Sequence, residues 1–141
     1  MAQITCQFVR PDRLLYEGPI ASMVLVTPTG ELGVWPGHAP EIVALGNGIV
    51  RIHRLPEEGG DMVKVIISGG YAEITPAQVI ILADHARRSD DIEPDVVRAT
   101  RGKAVASRDE LPEGDGRRAY YDNKIAWCDL LLQNAPQEHD A

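Results

Sequence analysis

Residues 30–40 read Gly30-Glu31-Leu32-Gly33-Val34-Trp35-Pro36-Gly37-His38-Ala39-Pro40. Gly30 and Gly33 bracket Glu31-Leu32, the apolar pair Val34-Trp35 follows, and a Pro-Gly-His-Ala-Pro turn closes the run. Gly accepts φ > 0 and lets another backbone approach closely. Pro fixes φ and offers no N–H to a ladder. The stretch therefore predicts a strand edge bent into a tight, stiff loop and excludes a helix.

Working outward, the same period-two logic covers the first ninety residues or so. Residues 4–9 alternate, with Ile4, Cys6 and Phe8 on one side and Thr5, Gln7 and Val9 on the other, which predicts a strand. Pro11-Asp12 predicts a turn. Residues 14–17 predict a short second strand closed by Gly18-Pro19, and residues 23–26 a third, turned by Thr27-Pro28-Thr29-Gly30. Downstream of the loop, residues 42–45 predict a strand and Gly46-Asn47-Gly48 a hairpin. Residues 49–54 run back with Val50 and Ile52 on the apolar face and Arg51 and His53 opposite. Residues 62–67, 71–74 and 79–84 complete the set, with Gly69-Gly70 and Thr75-Pro76-Ala77 between them. Short strands alternating with turns read as a β-sandwich or flattened barrel. Residues 23–26 and 79–82 are apolar on both faces, as expected of strands covered twice or carrying an interface.

At Ser89 the character changes. Asp90-Asp91-Ile92-Glu93-Pro94 combines acids with a Pro, the signature of a helix start. Residues 95–108 place the small residues Ala99, Gly102 and Ala106 at helical spacing. Gly102 costs about 1 kcal/mol in a helix interior, and the small stripe predicts a close partner helix. Residues 109–116 contain Pro112, Gly114 and Gly116 and predict a loop. Residues 117–133 form a second amphipathic pattern, with Tyr121, Ile125, Cys128 and Leu132 on one face, and the tail from Asn134 is expected to fray. The fold class is α+β: an N-terminal antiparallel β-sandwich over residues 1–89, then a C-terminal two-helix hairpin over residues 90–141.

The chain has 141 residues, enough to bury a core without staples. No 18-residue apolar run offers a membrane span, and Met1-Ala2-Gln3-Ile4 lacks the basic-then-apolar pattern of a signal peptide. Cys6 and Cys128 are isolated thiols that fit a reducing compartment. The net charge is −7, shared by both segments. That argues against a nucleic-acid surface and against direct docking on anionic lipid. Catalytic patterns are missing too. There is no phosphate-cradling Gly-rich loop and no G-x-S-x-G elbow. His38, His53, His85 and His139 have no metal-ligand spacing. Asp84 and His85 are neighbours whose side chains point to opposite faces of a strand. No catalytic residue, metal or cofactor is read from the sequence, which points to a binding or mechanical part.

Three runs carry a resemblance. The Gly30–Pro40 run, Ser68-Gly69-Gly70-Tyr71-Ala72-Glu73-Ile74, and Val79-Ile80-Ile81-Leu82-Ala83-Asp84 resemble, in order, signatures of the epsilon subunit of bacterial F-type ATP synthases. The likeness covers residues 2–93 well and the remainder in outline. It implies a non-catalytic central-stalk subunit that rotates with the gamma subunit and the membrane c-ring, peripheral to the cytoplasmic face of the cell membrane. By the resemblance, Glu31, Leu32 and Gly33 meet the c-ring, and Pro36, His38, Ala39 and Pro40 meet gamma. Some bacterial members bind ATP through an aliphatic-Asp-x-x-Arg-Ala run. Asp95 and Arg98 keep its spacing, but Pro94 replaces the aliphatic residue. The resemblance further implies that Arg117, Arg118 and Lys124 contact the catalytic alpha/beta subunits, on beta, in a state where ATP hydrolysis is braked. A rival from another class is a small β-sandwich enzyme or ligand-binding domain with a helical dimerisation tail. A pocket lined by convergent polar groups favours the rival; a flat exposed apolar patch favours the rotor subunit.

Overall fold

The structure, a computed structural model, describes residues 3–136. Met1, Ala2 and the tail beyond Pro136, part of the stretch expected to fray, lie outside the described residues. The chain divides into two compact units between Arg88 and Ser89.

The first unit is built from seven strands: β1 (Ile4–Arg10), β2 (Arg13–Thr27), β3 (Gly30–Val34), β4 (Glu41–Ala44), β5 (Asn47–Arg54), β6 (Met62–Ile74) and β7 (Gln78–Arg88). They follow the order β1-β7-β6-β5-β2-β3; β4 lies on β6, and β1 also pairs with β2, which closes the sheet on itself as a sandwich. The alternation predicted for β1 holds, with Ile4, Cys6 and Phe8 fully buried, and so do Val50 and Ile52 of β5. Burial pushes the Cys6 thiol up to about 12, so it stays protonated and acts as a small apolar filler. Every pairing among the described strands is antiparallel except β1 with β7, which is parallel. β1 thus departs from the expected all-antiparallel arrangement.

Three predicted breaks are not breaks. β2 runs straight through Gly18-Pro19, opposite Cys6 and Thr5 of β1. It exchanges β1 for β5 at a register slip between Ile20 and Ser22. β6 likewise runs through Gly69-Gly70 and keeps one register with β7 on both sides of them, from Ser68↔His85 to Gly70↔Ala83. Gly46-Asn47-Gly48 is no hairpin, because β4 and β5 do not fold back on each other. Glu41↔Ile74 to Ala44↔Tyr71 and Asn47↔Ser68 to His53↔Met62 form one antiparallel register against β6. Leu45 and Gly46 bridge the gap: Leu45 N–H donates to Gly70 O at 2.9 Å, and Gly69 N–H donates to Gly46 O at 3.1 Å. Gly46 also donates to Val26 O at 3.0 Å. A Cβ on Gly46 would sit 2.9 Å from the Thr27 carbonyl. That close approach, not a turn, is what the glycine serves.

The second unit holds a short 3-10 turn, then α1 (Pro94–Asp109) and α2 (Arg117–Gln133) packed on each other. Pro94 stands at the first helical position, where its missing N–H costs nothing. The buried residues are Val97 and Ala104 on α1 and Ile125, Cys128 and Leu131 on α2. The small stripe is therefore not the seam: Ala99, Gly102 and Ala106 are exposed, and Leu132 is only half-buried. Turning α1 to cover Val97 removes more apolar area from water than covering Ala99 or Gly102.

Two glycine substitutions should move stability in opposite directions. Gly70 has φ +123°, and a Cβ there would lie 2.7 Å from Ala83 Cα; Gly70→Ala is expected to cost about 1–3 kcal/mol. Nothing lies within 4 Å of a Cβ on Gly102, so Gly102→Ala is expected to stabilise α1 by about 1 kcal/mol. Urea unfolding of the full chain, followed by far-UV dichroism, measures both; a loss at Gly102 would restore the small stripe as the seam.

Candidate functional site: a stiff loop and an outward apolar face

β3 is an edge strand that pairs with β2 from Thr27↔Gly30 to Met23↔Val34. Its entry turn is held by the Thr27 hydroxyl, which donates to Gly30 O at 2.7 Å. Glu31 does not point free into solvent. Its carboxylate accepts from Arg51 Nη1 on β5 at 2.7 Å, across the intervening β2. Leu32 packs against the core cluster. Gly33 lies beneath the indole of Trp35, where any Cβ would overlap the ring. Trp35 itself is 59 % exposed.

The Pro36–Pro40 turn is stiffened by its own hydrogen bonds. Gly37, at φ 87°, donates its N–H to Pro76 O at 2.8 Å, and His38 N–H donates to Trp35 O at 3.1 Å. The Ala39 carbonyl accepts from His38 Nδ1 at 2.7 Å, and His38 Nε2 stands 3.9 Å from Glu41. Pro36 and His38 are half-buried; Ala39 and Pro40 are exposed. The apolar surface then continues along β4, where Ile42 is 76 % exposed. Ala44, Tyr71 and Leu82 are directly paired across β4, β6 and β7. Tyr71 and Leu82 are 63 % and 55 % exposed. Side chains of strand neighbours at one rung share a face, so Ala44, Tyr71 and Leu82 line the outer side of the sheet, with Ile42 two residues along β4. An exposed apolar group of this kind marks an interaction surface. The sequence reading missed Trp35, Ile42, Tyr71 and Leu82. The available signal was the two-faced apolar character of residues 79–82.

The residues singled out on the helices are each engaged within the second unit. Asp95 and Arg98 pair with each other at 2.8 Å on the exposed first turn of α1. Arg117 clasps Asp115 through Nε and Nη2 at 3.1 and 2.8 Å, and its backbone N–H donates to the same carboxylate. Arg118 Nη1 donates to the carbonyls of Arg108 and Leu111 at 2.9 and 2.8 Å. Lys124 lies 6.0 Å from the Tyr120 ring centroid. They form no shared cationic patch in this arrangement. Among the described residues no group of three or more His, Cys, Asp or Glu could hold a metal ion. No described helix is long and apolar enough to cross a membrane.

A mixed sandwich closed by a parallel β1–β7 pair, with a stiff loop running into an apolar outer face and a helical hairpin after it, defines a docking subunit. The family described as ATP synthase, Delta/Epsilon chain, beta-sandwich domain matches residues 3–89. The ATP synthase epsilon chain of Moorella thermoacetica is 38 % identical, covering 81 % of this chain and 83 % of its own. That of Microcystis aeruginosa is 31 % identical, covering 88 % and 87 %. Among solved structures, a chain of the Euglena gracilis mitochondrial ATP synthase, in a complex of OSCP, F1 and c-ring, superimposes with a TM-score of 0.73. It is 25 % identical and covers 94 % of this chain and 81 % of its own. The chain belongs to the ATP synthase epsilon-chain family. It is a non-catalytic subunit of a rotary ATP synthase, not an enzyme in its own right.

The Asp115–Arg117 clasp has a pH signature. The Arg117 side chain and backbone hold the Asp115 carboxyl down at about 2, against an ordinary 3.8. A depressed carboxyl stabilises the fold above its unfolded value and loses that contribution as pH falls through its folded value. The start of α2 should therefore stay ordered to pH 4 and loosen between about 4 and 2. The Arg117 amide chemical shift should titrate with a midpoint near 2, and Asp115→Asn should abolish that titration; a midpoint near 4 would mean that the clasp is absent in solution.

Proposed function

We propose that the chain joins a gamma subunit to the c-ring in the central stalk of a bacterial F-type ATP synthase. The observation that carries this reading is the continuity of the Gly30–Pro40 loop with the exposed face of Ile42, Ala44, Tyr71 and Leu82. Pro36, His38, Ala39 and Pro40 form the rigid corner of the gamma-binding surface, and Ile42, Tyr71 and Leu82 extend it along the sheet. Glu31, Leu32 and Gly33 form the c-ring edge, where the Glu31–Arg51 pair offers a fixed polar contact and Leu32 anchors the strand from inside. The chain then sits on the cytoplasmic face of the membrane, peripheral and held through its partners. The β-sandwich carries both contacts. The helical unit acts as a brake on ATP hydrolysis by presenting Arg117, Arg118 and Lys124 to the catalytic alpha/beta subunits. No cofactor is assigned; Asp95 and Arg98 serve as a surface pair.

Leu82→Glu and Tyr71→Glu each place a charge on the exposed face without touching the core. Each should weaken co-purification with gamma by at least about tenfold, with the thermal midpoint of the free chain unchanged. Retention of gamma by both variants overturns the assignment of this face.

Truncation after Ser89 separates the two roles. The shortened chain should still assemble and support coupled synthesis, while ATP hydrolysis rises. Unchanged hydrolysis at every nucleotide ratio tested would leave the helices a structural part and sink the brake.

A further inference from the structure

Only five residues of α1 and α2 are buried, among them Ala104 and Cys128. Helices of sixteen and seventeen residues are marginal by themselves in water. Polar contacts across the hairpin therefore weigh more than they would over a thick core. Two ion pairs cross it. Arg101 Nε meets Asp129 at 2.6 Å, and Arg108 Nη1 meets Asp122 at 3.0 Å. Both pairs are partly exposed: 41 % and 44 % for Arg101 and Asp129, 28 % and 55 % for Arg108 and Asp122. The partners are seven residues apart on each helix, two turns, so both rungs lie along one flank of an antiparallel pair. A third contact sits at the loop end, where Arg118 of α2 bonds the carbonyl of Arg108 in the last turn of α1 and that of Leu111 in the connecting loop. The Arg108 carbonyl also accepts the Leu111 N–H at 3.0 Å, so the clamp closes onto the turn that ends α1. Asp109 also accepts from Arg108 at 3.2 Å and holds its guanidinium in place.

We propose that Arg101–Asp129, Arg108–Asp122 and the Arg118 clamp form an ionic latch that sets how readily α2 leaves α1. The consequence for hydrolysis rests on the braking role given above. Arg118 has both its carbonyl partners inside the closed hairpin, so it can reach an acidic surface elsewhere only after the latch opens. Exposed ion pairs are screened by salt, which makes the latch sensitive to ionic strength while the apolar seam is not. Opening starts at the Arg101–Asp129 end, because the loop-side end carries both a rung and the clamp.

The test uses the full chain. Arg101→Asp and Asp129→Arg each set like charges across the first rung, and the double substitution restores opposite charges in reverse. Arg101→Gln removes the pair without repulsion and guards against simple misfolding. Amide hydrogen exchange in residues 122–133 should quicken roughly two- to tenfold in each single variant. It should return close to the unsubstituted rate in the double variant, and the differences should shrink in high salt. Singles that exchange like the unsubstituted chain, or a double no slower than the singles, overturn the latch. In the assembled synthase the singles should hydrolyse ATP more slowly. If exchange responds as stated and hydrolysis does not, the latch stands and the braking role falls.

Discussion

β6 is the strand on which the first unit is built. Along one side it pairs with β7 in one register, from Val65↔Arg88 to Ile74↔Val79, with only Gly69 skipped. Along the other it carries β4 and β5 end to end in a single register. A strand that long cannot stay flat, because sheets twist and long strands must bend to keep both ends covered. Opposite the junction of β4 and β5, Gly69 and Gly70 take φ of 75° and 123°, and there the backbones crowd together. Gly46 lies against the Thr27 carbonyl at the end of β2, and Gly70 lies against Leu82 and Ala83 of β7. Neither position has room for a Cβ. With both glycines in place, the N–H of Gly46 reaches Val26 and that of Leu45 reaches Gly70, so the ladder crosses the junction with its hydrogen bonds made.

The position of the candidate surface follows from that crossing. Because β4 holds the register of β5, Ile42 and Ala44 fall beside the outer half of β6, and Tyr71 aligns with Leu82 on the same rung. If residues 46–48 had turned back as a hairpin, β4 would have paired with β5. The loop before it would then have been carried away from β6, and the Gly37 N–H would not meet Pro76 O. The loop and the apolar face are one surface because of a backbone constraint at Gly46 and Gly70, beside Ala44 and Tyr71.

This also explains which parts of the structure could be read from the sequence. Burial alternation is local, and it placed Ile4, Cys6, Phe8, Val50 and Ile52 correctly. The stiff loop was legible for the same reason, since Gly37 and the two prolines act on their own dihedrals. Gly46 and Gly70 were misread because a glycine needed for a close approach looks, in sequence, like one needed for a turn; Gly18 has open space around it and only its φ of +143° within β2 sets it apart. The approaching backbone belongs to a strand far along the chain and leaves no trace nearby. The helical seam was misread differently. Spacing alone allowed the stripe of Ala99, Gly102 and Ala106, but Val97 buries more area one face over. The cross-hairpin ion pairs then fixed the rotation with partners 28 and 14 residues apart. Outward residues such as Tyr71 and Leu82 follow no rule of folding; their exposure is visible only once the sheet is assembled.

The charged groups in the candidate surfaces share a feature that decides where binding energy can come from. Glu31 is bonded to Arg51, and Arg117 and Arg118 are occupied within the hairpin. A partner that competes for any of them must first break a contact of similar strength, so the net gain from charge is small. Apolar side chains face no such exchange. Fully burying a side chain of this size contributes roughly 1.5–3 kcal/mol, so Ile42, Tyr71 and Leu82 together reach somewhat under 10 kcal/mol before association costs. Those costs are of order 4–15 kcal/mol, which three side chains alone do not safely exceed. A lasting contact therefore has to continue beyond the sheet face. The adjacent apolar surface is the rigid turn from Trp35 to Pro40, which is already ordered and loses little freedom on binding. Stiffness in the loop and exposure on the strands are thus two halves of one requirement: the partner must be long enough to lie on both at once.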